Sequence, residues 1–336
     1  MSAHPHDDPS NDHDHTHGVV DPSIVTTARG IWAVKRSMVG LLGTAVFQVV
    51  IVALTGSVAL LADTIHNFGD AATAIPLWIA FRLARRKPSK QFTYGYGRVE
   101  DLAGVAIVFM ILFSAVVAGY ESIQRFFQPQ EVKYLWAVVV ASLIGFVGNE
   151  AVALLRIRVG KEIGSAALVA DGYHARVDGL TSLAVLLGAV GVWLGFPLAD
   201  PIVGLLITIA ILRIVWDSGK SIFTRLLDGV DPKTVGEIEH AVHHVPGVQG
   251  VTGVRVRWLG HRLHAELSIT VPSELSVEEG HEIAREARHQ LLQHLRYLSD
   301  AAIHVDPASA SGPEHHHFAE YEEHSGLPVP VRFEGK

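Results

Sequence analysis

Long apolar stretches fill the middle of this chain, and they constrain its fold more than any other feature. A helix that crosses the hydrocarbon layer needs about 20 mostly apolar residues, and stretches of that kind fall at roughly 35–55, 57–82, 102–125, 134–156, 165–194 and 199–218. No water reaches the backbone at that depth, so each stretch must satisfy its own N–H and C=O groups as a helix. Polar or flexible breaks separate them: Thr55-Gly56-Ser57, Gln128-Pro129-Gln130-Glu131 and Gly195-Phe196-Pro197. The expected core is an α-helical membrane domain, a six-transmembrane-helix bundle over residues 31–223 made of three helical hairpins.

Charge placement orients this core. The loop after the second stretch carries Arg85, Arg86, Lys87, Lys90 and Arg98, and the loop after the fourth carries Arg156, Arg158 and Lys161. The loops on the other side carry only Arg125 and Lys133. Basic residues favour the cytoplasmic side, so both termini are expected in the cytoplasm of a multi-pass protein of the bacterial inner membrane. The first 30 residues lack the apolar stretch of a signal peptide. The chain has no cysteine, which excludes disulfides and thiolate sites for soft ions. Its net charge of −7 comes without any Lys/Arg-rich recognition segment, which argues against nucleic-acid binding.

Inside the apolar core a charged motif occurs twice. Asp63, His66 and Asp70 in the second stretch share the spacing Asp-x-x-His-x-x-x-Asp with Asp171, His174 and Asp178 in the fifth. An ionisable side chain at the bilayer centre costs about 2.5–3.5 kcal/mol on insertion scales, so it marks a functional site by default. Offsets of three, four and seven put all three residues on one helical face. The two stretches run antiparallel, as in inverted repeats that hold a substrate at the midplane. His66 then lies level with Asp178, and Asp70 with His174. Two histidines and two carboxylates make a tetrahedral set suited to Zn2+. Asp63 and Asp171 are displaced toward opposite mouths, as supporting or pathway carboxylates. Arg176 falls on another face and is expected to meet a carboxylate elsewhere or water. Asn149 and Glu150 read as helix-packing polar groups.

Beyond the core, residues 224–307 read as a compact αββαβ domain. Asp231-Pro232 opens a helix as cap and first turn. Residues 251–258 and 263–271 alternate like paired strands. A second helix is expected over 277–295 and a short last strand over 303–305. The ends of the chain, 1–30 and 308–336, are acidic, polar and rich in histidine, including His4, His6, His13, His15, His17, His315, His316, His317 and His324. Such tracts are expected to be disordered and to capture metal weakly.

The segments Gly56–Asp63 leading to His66 and Asp70, Tyr94–Glu100, and Asp171-Gly172-Tyr173-His174 leading to Asp178 resemble the cation diffusion facilitator family across residues 30–307. The resemblance implies a homodimeric exporter of divalent metal that exchanges it for protons, with a metallochaperone-like C-terminal domain in the cytoplasm. It places His66, Asp70, His174 and Asp178 at the transport site, in a form similar to zinc-transporting members. Co2+, Ni2+, Fe2+, Mn2+ and Cd2+ remain alternative substrates, and a metal sensor that binds without transport remains an alternative function. The resemblance also implies a pairing of Arg98 with Asp228, and metal binding at His281, His304 and Asp306, with His264 or Glu266 nearby. Thr252 and Ser268 stand where other ligand histidines occur in relatives, and the loop Phe92–Gly97 has aromatic residues where some members carry a loop metal site. No enzymatic role is expected, because four convergent ligands leave no open position for a catalytic water.

Overall fold

The computed structural model describes residues 22–55, 74–127, 135–196 and 198–310. Its membrane part comprises α1 (Pro22–Thr55), α2 (Ala74–Ala84), α3 (Arg98–Phe127), α4 (Leu135–Ile163), α5 (Ala166–Trp193) and α6 (Ala199–Leu226). Among the described residues, α3 to α6 are each long and apolar enough to cross a membrane. Two of these helices run well past the C-terminal ends of the expected stretches: α4 continues to 163 and α6 to 226. The apolar signal stops where lysines and arginines begin, but those residues are good helix formers and the hydrogen-bond ladder continues through them. Arg156, Arg158 and Lys161 therefore lie on a helix, not in a loop.

In this part an apolar core that includes Leu77, Phe81, Ile107 and Leu168 coexists with large apolar side chains turned outward and several polar ones turned inward. Phe113, Trp136, Leu206, Ile209 and Trp216 are exposed, while Asn149, Arg156, Asp171, His174, Asp178 and Thr208 are buried. That distribution suits a surround of lipid, with polar groups set into an otherwise apolar interior. α4 packs most extensively on α5, α3 on α6, and α1 on α4. Gly164, at φ +74°, makes the tight turn between α4 and α5, and Ser165 caps α5 by accepting a hydrogen bond from Leu168 N at 3.0 Å. One glycine on each helix allows the close approach that follows. A Cβ at Gly172 would lie 2.6 Å from Ile157 Cγ1, and one at Gly160 would lie 2.8 Å from Val169 N.

The C-terminal domain comprises α7 (Pro232–His243), β1 (Gly250–Leu259), β2 (Arg262–Val271), α8 (Val277–His294) and β3 (Leu298–Pro307). The sheet order is β1-β2-β3, with β1 antiparallel and β3 parallel to the central β2. Ile238, Val242, Ala287 and Leu291 from the two helices share a core with Leu263, Leu267 and Ile269 of β2. Asp231 caps α7, with Pro232 in its first turn, and Ser276 with Glu279 forms a capping box on α8. The last strand spans ten residues instead of the expected three. Its early part, Ser299-Asp300, reads as loop locally, yet pairing along the full length of β2 draws it into the sheet.

Candidate transport site

The α5 half of the repeated motif lies in the bundle interior. Asp171, His174 and Asp178 are 0%, 3% and 3% exposed. His174 and Asp178 stand one turn apart, with Nε2 3.9 Å from Oδ2. Thr181 and Ser182 donate their hydroxyls to the Asp178 carbonyl at 2.8 and 3.1 Å. The other half, Asp63, His66 and Asp70, lies outside the described residues, as do the histidines of both termini.

Asp171 has a partner outside the repeated motif. Arg156 of α4 brings Nη1 to 3.1 Å from Asp171 Oδ2, and both side chains are essentially inaccessible at 1% and 0%. The contact is an ion pair whose angles fall short of a hydrogen bond. Arg156 Nε donates to Ser37 Oγ of α1 at 2.9 Å, and Ser37 in turn donates to the Val34 carbonyl at 2.9 Å. No periodicity in the sequence links the two residues. Folding the chain back at Gly164-Ser165 sets position 156 against the first two turns of α5. A second pair lies farther along the same interface, where Arg176 donates to both oxygens of Glu150 at 3.1 and 2.6 Å. Glu150 is thus the carboxylate that Arg176 meets.

At the end of the bundle where α4 and α6 finish, the hairpin turn between β1 and β2 inserts among the helices. Gly260, at φ +64°, supplies the first position of this two-residue turn. A Cβ there would lie 2.8 Å from Glu100 Oε2. His261 is buried, with Nδ1 2.6 Å from Glu100 Oε2 and Nε2 2.9 Å from Thr27 Oγ1. Because a carboxylate only accepts, the Nδ1 proton points at Glu100. Ser165 donates to the other Glu100 oxygen at 2.5 Å, and Gly260 N donates to Asp101 Oδ2 at 3.1 Å. Arg225 of α6 donates to the Gly164 carbonyl at 2.6 Å and stacks over the Trp258 ring at 4.0 Å. Residues of α1, α3 and α6, and of the turn between α4 and α5, thus meet at this hairpin. Sequence reasoning assigns no role to Glu100 or His261, which are 161 positions apart.

The structure also brings Arg98 and Asp228 together. Arg98 pairs with the Asp228 carboxylate and donates to the Arg225 carbonyl at 3.1 Å. Asp228 follows α6 in the left-handed region, at φ 60°, which Asp tolerates better than most residues. The C-terminal trio is not assembled in the same way. His304 Nε2 lies 3.0 Å from Asp306 Oδ1, but His281 sits exposed on α8 and does not join them. His264 contacts Ser299 Oγ at 3.1 Å, and Glu266 accepts from Arg257 at 2.7 Å. Burial first of all lowers the His264 pKa, with the Asp300 charge acting against it. Among the described residues no group of three or more His, Asp or Glu side chains is placed to hold a metal ion. Of the residues expected to bind metal in this domain, His304 and Asp306 stand together on β3, while His281 is exposed in the second turn of α8.

A helical membrane bundle with histidine and carboxylates buried in it, fused to a small αββαβ domain, defines a class of membrane transporters. The chain belongs to the cation efflux, or cation diffusion facilitator, family of metal transporters: residues 34–227 match its transmembrane domain and residues 230–308 match its cytoplasmic domain. It is 56% identical over 289 residues to a Mycobacterium tuberculosis protein named "Probable cation efflux system protein", covering 86% of this chain and 87% of that one. It is 29% identical over 271 residues to an uncharacterized transporter of Methanocaldococcus jannaschii, covering 80% and 95%. Among solved structures, the C-terminal domain is similar to that of MamM, at 29% identity and TM-score 0.22, covering 22% of this chain and 94% of that one.

Proposed function

We propose that the protein exports a divalent metal ion from the cytoplasm in exchange for protons, with Zn2+ as the foremost substrate. The observation that carries this reading is the His174–Asp178 pair, one nitrogen and one oxygen donor a single turn apart in a buried stretch of α5. His66 and Asp70, at the same spacing in the second apolar stretch, complete a two-His, two-Asp set. Two carboxylates balance the charge of one divalent ion where water is scarce. Metal binds only deprotonated ligands, so loading displaces protons and protonation favours release. Histidine suits this exchange, since its ordinary pKa of about 6.5 lies near working pH. The basic helix ends favour a cytoplasmic C-terminal domain, through which the protein acts as a homodimer.

The test is metal flux into proteoliposomes under an imposed pH gradient, metal by metal, for the wild type and Asp178→Ala. Flux of Zn2+ that depends on the gradient and vanishes in the variant is the expected result. Equal flux in both proteins overturns the ligand assignment. Intact binding with no flux in the wild type turns the reading toward a metal sensor.

A further inference from the structure

An arginine buried in a membrane bundle calls for a physical account. Its guanidinium stays protonated under any condition a protein meets, so Arg156 brings a permanent positive charge into the interior of the bundle. Neither Arg156 nor Asp171 is stable there alone, because breaking a buried pair leaves an uncompensated charge in a medium that solvates it poorly. The pair is anchored from three helices: Arg156 on α4, Asp171 on α5 and Ser37 on α1. Gly172, next to Asp171, allows the close helix approach, since a Cβ there would lie 3.1 Å from Arg156 Cβ. Asp171 precedes His174 by three positions on the same helical face. Without Arg156, Asp171 would stand beside His174 and Asp178 as an uncompensated carboxylate.

We propose that Arg156 is the charge-setting, positioning residue of the transport site. It holds Asp171 as a neutral pair beside His174 and Asp178, so that Asp171 adds no net charge to the site a divalent ion meets. This inference rests on the transport reading above and extends it to a residue outside the repeated motif. It also gives Asp171 a specific task. Asp171 is the carboxylate that offsets the permanent cation of Arg156 inside the bundle.

The two halves of the pair then have opposite effects on metal affinity, which a purely structural role would not produce. Zn2+ binding is measured by calorimetry on the purified full chain in detergent, alongside the apparent KM for Zn2+ flux. Asp171→Asn leaves Arg156 as a lone cation and weakens binding about tenfold or more. Arg156→Gln leaves Asp171 as an uncompensated carboxylate beside the ligands and tightens binding about tenfold while slowing turnover. The charge-balanced double variant R156Q/D171N returns to within about threefold of the wild type, and Arg156→Lys stays near it. Shifts of the same sign in the two single variants, or a double variant as impaired as Asp171→Asn, overturn the proposal. If Arg156→Gln alone does not fold, comparison of Asp171→Asn with the double variant decides: rescue supports charge setting and its absence refutes it. Calorimetry reads these shifts even if no flux occurs, so failure of the transport reading and failure of this one are separable.

Discussion

The membrane bundle and the C-terminal domain use charge in opposite ways. In the bundle, some charges sit inside and are paired across helices, as in Arg156–Asp171 and the part-buried Arg176–Glu150, while many large apolar side chains face outward. In the C-terminal domain, aliphatic side chains fill the interior, and pairs such as Arg288–Asp300 lie on the surface with both members about half exposed. The difference teaches where stability is sensitive. Lipid supplies no hydrophobic drive between helices, so the bundle depends on close packing at small residues and on matched polar partners. The C-terminal domain is held by apolar burial, and its exposed ion pairs contribute little. The junction at His261 follows the rule of the bundle although the residue belongs to the other region.

That last statement is open to the most severe test. His261→Ala leaves the Glu100 carboxylate buried without its imidazole partner, and the expected cost is about 3 kcal/mol or more. Thermal unfolding of the full chain in detergent, with limited proteolysis of the segment after α6, would show earlier release of the C-terminal domain. An unchanged unfolding profile would mean that the junction is held by surface-type contacts instead. A smaller effect is expected at the α4–α5 contact. Gly172→Ala places a Cβ 2.6 Å from Ile157 Cγ1, and overpacking of this kind costs about 1–3 kcal/mol. Ala at the open position Gly236, where a new Cβ would have nothing within 4 Å, should not share that loss of thermal stability.

The mildest change is local to the C-terminal domain. Ser276→Ala removes the cap of α8, and amides in its first turn should exchange with solvent about fivefold faster, without global loss of fold. The same box has a pH signature. Hydrogen bonds from the Ser276 backbone and then its hydroxyl lower the Glu279 pKa below its ordinary 4.5. A group whose folded pKa is depressed stabilises the fold above its unfolded pKa and loses that contribution as pH falls through the folded value. Protection of the first turn of α8 should therefore decline below about pH 4.5 in the wild type and change less with pH in Ser276→Ala.

Much of this organisation is legible in the sequence because its causes are local. The α7 start at Asp231-Pro232 follows from capping chemistry, and β1 and β2 follow from their alternation, which in β1 is broken at Gly253. The α5 triad follows from one helical period. The helix ends at 163 and 226 lie past the apolar signal because hydropathy reports burial in lipid, whereas the helix itself continues through basic residues. The full length of β3 is hidden for a related reason: its early part joins the sheet only because β2 pairs with Leu298 and Asp300, on either side of an irregularity at Ser299.

By itself, the sequence determined a membrane bundle, a C-terminal αββαβ domain and a repeated His/Asp motif whose spacing brings donors to one face. Each of these depends on neighbours a few positions apart. Only the tertiary structure decided that Arg156 belongs to Asp171, and that His261 closes on Glu100 beneath the bundle. Both depend on how closely helices approach and on which turn inserts between them. Partners set by packing leave no periodic trace along the chain, because the charge of one is balanced by a residue whose position the other does not encode.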